Sequence, residues 1–320
     1  MLGTYYQLSD YISQVRTLIH DPSQSDYTDA QLAPLINNAR FRVAIDLRCV
    51  RQFIAGLNTI SMQESYPLTG FVGGLNIVNG GSNYTNPIVT IAGGNGVGAT
   101  GTLAATNGVI TNAVMTNWGS GYISGDGIPA ITATVSDPTG TGAAIQPIPG
   151  LNILDVYTMT ALWTPGNAPN NQSALALTFD WLPFGAFQAF CRAYRGTFSN
   201  PGAWTAHYGP VSPLNPTVNA QSIYMYPIPN QAYPIEWDVI TTPNALINDT
   251  DVDYQVIVPW NDAVQYFAAQ LAYLGLQQYN QAAIMLQLYQ GRLREQPATG
   301  FARRIHNFYR SFAHRMRRIS

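Results

Sequence analysis

Catalysis needs acids, bases or nucleophiles held within reach of one another, and this chain offers few. Its four histidines are His20, His207, His306 and His314. His306 and His314 stand eight positions apart without a Cys or carboxylate neighbour, and His20-Asp21 reads as a helix end. Asp249, Asp251 and Asp253 alternate as in the start of a calcium loop, but the central Gly and the closing Glu are missing. A solvated turn is the expected role. Gly96-Val97-Gly98 could cradle a phosphate, yet neither a Lys nor a helical pattern follows it. Cys49 and Cys191 lack disulfide or metal spacing and sit in apolar, helix-like surroundings, so buried reduced thiols are expected. No catalytic residue, metal site or cofactor follows from these patterns, and the chain reads as a non-enzyme.

Binding chemistry is better represented. All fifteen basic residues are Arg, and eight of them fall within residues 292–320 against one Glu. No basic residue occurs between Arg51 and Arg192. Arg presents a planar, weakly hydrated fork that suits interfaces and phosphates, although codon usage would produce the same bias. Within the basic segment Phe301, Ile305, Phe308, Phe312, Met316 and Ile319 recur at helical spacing. Arg303, Arg304, Arg310, Arg315, Arg317 and Arg318 lie mostly off that stripe. Three uses fit: a docking helix on a protein partner, a membrane-surface helix, or a nucleic-acid arm. A second candidate surface is aromatic. Tyr84, Trp118 and Tyr122 stand beside Gly clusters, where they either stack on sugars or pack across their own turns.

The elements that would position these groups follow from periodicity. Asn79-Gly80-Gly81-Ser82-Asn83-Tyr84 with Gly96-Val97-Gly98-Ala99 returns as Asn117-Trp118-Gly119-Ser120-Gly121-Tyr122 with Gly140-Thr141-Gly142-Ala143. Such a doubled pattern predicts a pseudo-symmetric β module. Helices are predicted for 8–19, capped by Ser9, and from the Thr28–Gln31 capping box to Leu47, with Pro34 delaying the start. Strands are predicted at 54–64 and 153–163, and 222–226 with 235–240 as a hairpin. Helices return from Asn261 or Asp262 to a stop at Gly275, and from Gln278 to Arg294. The predicted class is α+β: a helical bundle with a small β domain, an inserted all-β repeat module and a C-terminal helical docking extension. The corresponding divisions are 1–69 with 150–296, 70–149, and 297–320. The first nine residues lack a signal-peptide pattern and no apolar run is long enough to span a membrane, so synthesis in a cytoplasm is expected.

Several stretches resemble tail adaptor (head-to-tail connector) proteins of short-tailed bacteriophages. They are Pro201-Gly202-Ala203-Trp204-Thr205-Ala206-His207-Tyr208-Gly209, Ile223-Tyr224-Met225-Tyr226-Pro227-Ile228-Pro229-Asn230, Pro243-Asn244-Ala245-Leu246, and Val258-Pro259-Trp260 before an Ala-rich helix. The helical pair from Leu8 to Leu47 fits as well. The doubled Gly-Tyr module resembles inserted β domains of phage virion proteins. The resemblance implies a structural virion protein of the neck, made in the host cytoplasm. It implies a self-assembled ring, twelve-fold in that family, between portal protein and tail nozzle, with genomic DNA passing through without sequence readout. It places portal docking on the Arg-rich extension: Phe301, Arg303, Arg304, Ile305, Phe308, Arg310, Phe312, Arg315, Met316, Arg317 and Arg318. The alternative is another tail, nozzle or fibre-type subunit whose repeat module binds host glycan through Tyr84, Trp118 and Tyr122.

Overall fold

The capping box foreseen at Thr28 is formed: the Gln31 side chain accepts the Thr28 N–H at 2.9 Å and starts α2 (Asp29–Leu47). Pro34 lies inside this helix and does not delay it. The preceding α1 (Leu8–Ile19) is capped by Gln7 rather than Ser9, because Asp10 returns its carboxylate to the Gln7 N–H at 2.8 Å. These features belong to a computed structural model that describes residues 5–125, 127–163, 175–191, 197–208 and 221–295. The remaining helices are α3 (Phe184–Phe190), α4 (Asp262–Gly275) and α5 (Tyr279–Glu295). The chain divides into two compact units, one of Met1–Val50 with Thr242–Ser320, the other of Arg51–Thr241.

The first unit is helical. Leu8, Tyr11, Ile12, Val15 and Ile19 of α1 and Leu32, Ile36 and Val43 of α2 share a core with Ala263, Val264, Ala268, Ala269 and Ala272 of α4. Each large aliphatic side chain buried there contributes about 1.5–3 kcal/mol. Small residues on α4 allow close packing, and Gly275 is fixed by a neighbour: a Cβ there would overlap the Tyr27 hydroxyl, which donates to the Ala272 carbonyl at 2.8 Å.

The second unit holds most of the chain and corrects the predicted class. Strands account for 40% of the described residues and helices for 27%, so the molecule is not a helical bundle with a small β domain. One sheet has the order β1-β16-β9-β10 and a second β11-β13-β14-β2. Their strands are β1 (Arg51–Asn58), β2 (Ser65–Pro67), β9 (Ile153–Trp163), β10 (Leu175–Thr178), β11 (Asp180–Trp181), β13 (Ala203–Tyr208), β14 (Gln221–Tyr226) and β16 (Pro234–Thr241). The predicted hairpin of 222–226 with 235–240 is not formed, because β14 and β16 belong to different sheets. Between them β15 (Ile228–Pro229) pairs instead with β12 (Phe198–Ser199).

The repeat supplies β3 (Phe71–Ser82), β4 (Ile88–Ala92), β5 (Val97–Thr106), β6 (Val109–Ser120), β7 (Thr132–Ser136) and β8 (Thr141–Gly150). Order β3-β8-β7-β4 forms one sheet and β5-β6 another. β4 also runs beside β5, and β3 beside β6, so the six strands follow one another around a ring. The Gly clusters read as turns lie inside long strands, since Gly80 pairs with Ala143 and Trp118 with Ala99. That is why sequence patterning understated the β content.

Candidate functional site

The two copies of the repeat complete each other. The β3–β8 ladder pairs Asn79 with Ala144, Gly80 with Ala143 and Ser82 with Thr141. The β5–β6 ladder pairs the equivalent Asn117 with Thr100, Trp118 with Ala99 and Ser120 with Val97, with register shifts at corresponding places. Each ladder therefore joins a strand of the first copy to a strand of the second. The tyrosines follow the same exchange. Tyr84 lies over Gly140 of the other copy and its hydroxyl accepts the Ala143 N–H at 3.1 Å. Tyr122 lies over Gly96 and its hydroxyl accepts the Ala99 N–H at 3.4 Å. A Cβ at either glycine would overlap ring carbons. The expectation that each ring packs across its own turn is thus corrected.

Tyr84, Trp118 and Tyr122 are 6%, 1% and 2% exposed. Trp118 stacks on Phe71 with ring centroids 4.6 Å apart, and its indole N–H donates to the Asn58 carbonyl at 2.9 Å. These rings offer no open face to a sugar, so the stacking role assigned to them is withdrawn. The pseudo-symmetry also breaks here, because Gly80 stands where the second copy has Trp118. It breaks again at Asp137, whose counterpart is Gly93. The Asp137 carboxylate accepts the N–H groups of Thr85, Asn86, Thr139 and Gly140. Desolvation alone would raise its pKa, but those bonds outweigh it and hold the carboxyl well below the ordinary range.

In the helical unit the alternating acids have separate roles. Asp251 accepts the N–H groups of Asn248 and Ile247 at 2.9 and 2.8 Å, which lowers its pKa. Asp253 is fully buried and takes a two-pronged contact from Arg40, Nε to Oδ2 at 2.7 Å and Nη2 to Oδ1 at 2.8 Å. Tyr11 donates its hydroxyl to Asp253 at 3.1 Å. Burial, then the Asp253 charge, pushes the Tyr11 pKa far up. Arg40 further donates to Asn37 Oδ1 and the Asn244 carbonyl. This network ties α1 and α2 to the stretch returning at 242–256. Sequence reading missed it, since Arg40 in an amphipathic helix and Asp253 in a turn-like run each look solvated. Among the described residues no His, Cys, Asp and Glu group could hold a metal ion, and no helix is long and apolar enough to cross a membrane. His207 sits on β13 with Phe184 at 4.4 Å between ring centroids. Burial pushes the Cys49 thiol up to about 12 and raises that of Cys191, leaving neither reactive.

The helix α5 has a buried and an exposed side. Its inner side is held by Ala282 and Tyr289, whose hydroxyl donates to Asp46 at 2.8 Å and whose ring meets Phe267. Its outer side presents Ile284 and Leu288, 54% and 44% exposed. No charged residue occurs between Asp262 and Arg292. The docking residues named above, from Phe301 to Arg318, lie outside the described residues. Comparison with known protein families and with curated proteins returns no match.

Proposed function

We propose that this chain is a non-enzymatic joining subunit of a virus particle, an adaptor between the portal ring and the tail nozzle that self-assembles around a DNA channel. The observation that carries the reading is α5. This helix holds an exposed, uncharged apolar face and leads directly into the segment that combines an apolar stripe with six Arg. Hydrophobic faces of this kind on otherwise polar surfaces mark contacts with other proteins. The resemblance of the stretches quoted above to tail adaptors supports the portal and nozzle as partners. The low charge of the chain, 10% Asp, Glu, Lys and Arg, suits a subunit whose surfaces are covered by neighbours.

Deleting residues 297–320 tests the reading. Attachment to portal rings of the same virus, followed by co-sedimentation and electron microscopy, is expected to be lost, with circular dichroism of the helical and β units retained. Retained attachment would sink the assignment of docking to this segment. If the segment is instead a nucleic-acid arm, the intact chain will bind duplex DNA with an affinity that falls steeply between two salt concentrations.

A further inference from the structure

The sheet β11-β13-β14-β2 has two faces of different chemistry, because side chains alternate along its strands. Trp204 and Ala206 of β13 and Ile223 and Met225 of β14 enter the large apolar core. Thr205 and His207 lie on the other face, opposite Tyr224 and Ser222. That face is dry as well: Thr205 is 1% exposed, and Ser222 and Tyr224 are buried. Its cover is α3. Phe184 packs on His207 at 4.4 Å and on Tyr224 at 5.7 Å between ring centroids, and Phe187 stands 6.5 Å from Tyr224. Among the described residues neither Thr205 Oγ1 nor His207 Nδ1 has a hydrogen-bond partner, and both atoms are shut off from water. We propose that α3 is a lid hinged at Pro183, which opens to admit water to Thr205 and His207 while the sheet beneath stays closed. This stands apart from the adaptor reading.

Closing α3 strips water from two polar atoms and gives them nothing in exchange, and a buried donor or acceptor left unmet opposes the closed state. The helix has little of its own to set against that. It is seven residues long, about two turns, and a helix so short does not hold in water by itself. Pro183 offers no side-chain cap at its start, and Gly185 in the first turn weakens it further. Its end bonds, from the Phe187 N–H to the Pro183 carbonyl at 2.9 Å and from the Cys191 N–H to the Phe187 carbonyl at 2.8 Å, stay within the helical segment. The chain just before it is fastened to the sheet. Asp180 and Leu182 donate their N–H groups to the Gly202 and Trp204 carbonyls at 2.8 and 3.0 Å. Firm strand therefore gives way to weak helix at Pro183, which sets the hinge there. What holds the lid shut is apolar contact, with Phe187 and the Cys191 side chain both buried.

Hydrogen exchange of the full-length chain tests this, read by mass spectrometry after peptic digestion. Alkylation of Cys191 by iodoacetamide is followed in parallel, since its buried thiol meets the reagent only when α3 lifts. Amides of residues 187–191 should exchange at least about a hundredfold faster than those of 223–225, because a local opening lies below global unfolding in free energy. Cys191 should be alkylated through the same opening. Exchange and alkylation that proceed only with global unfolding overturn the proposal. Two variants then test its cause. Thr205→Val keeps the shape of the side chain and removes the unmet oxygen, so both α3 signals should slow about fivefold or more. Gly185→Ala, with open space at its Cβ, should slow them about twofold or more by strengthening the helix. An unchanged or faster opening in either variant overturns the proposal.

Discussion

Arg40 and Asp253 are nearly or fully removed from water, and their mutual contact is what makes that tolerable. Arg40→Ala would leave a buried carboxylate facing Tyr11 and two backbone N–H groups, with its cation gone. The expected loss is about 3–5 kcal/mol in chemical denaturation. Gly96 and Gly140 hold equivalent positions under Tyr122 and Tyr84. Gly96→Ala and Gly140→Ala should therefore each cost about 1–3 kcal/mol by overpacking, and by similar amounts. Gly185→Ala, with open space at its Cβ, should be neutral or gain up to about 1 kcal/mol. Asp137 provides a pH test. Its folded pKa is lowered, so its contribution is fully present above the unfolded value of about 3.9. That contribution is lost as pH falls through the lowered folded value. Asp137→Asn should lower the melting temperature at neutral pH, and the gap to the parent should close in acid. A gap independent of pH would contradict this.

Elements reveal what single residues cannot. Trp118 projects from β6 into a cluster with Tyr66, Phe71 and Trp237, so the repeat module shares its core with the neighbouring sheets. Trp118→Ala in the full chain should lower stability by about 3–5 kcal/mol, measurable by thermal melting. A ring that stood at the surface would cost far less. Sequence made some of this readable: the Thr28–Gln31 cap, the faces of α1, α2 and α4, and the repeat landmarks at Tyr84 and Tyr122. Such features are local, and spacing along the chain reports them. The exchange was hidden because the Gly that receives each tyrosine is 26 residues before Tyr122 in one case and 56 after Tyr84 in the other. The burial of Trp118 was hidden too, because Gly80 occupies the matching place in the first copy. The class was misjudged because β3, β5, β6 and β8 use Gly, Thr and Asn where long strands ordinarily use branched and aromatic residues. The fate of the face on α5 was only half legible. Its helix was foreseen, but which side stays open depends on α4 and Asp46.

At the scale of the whole molecule, the helical unit is assembled from the two ends of the chain, with the β unit between them. The apolar faces of α1 and α2 share a core with α4, with Ala282 and Tyr289 of α5, and with Leu246 and Val256. The deletion of 297–320 argued above belongs at this level, since it removes the segment proposed to join subunits. The order of parts also sets a schedule for a growing chain. After Val50 leaves the ribosome, 191 residues must follow before Thr242, about 10–40 s at common rates of synthesis. During that interval Tyr11 and Arg40 have no Asp253, and the stripe from Leu8 to Val43 is open to water. The β unit can close once Thr241 emerges, well before its helical neighbour. The newborn protein is thus a finished sheet structure trailing two unfinished helices, which makes the first fifty residues the part most in need of a chaperone.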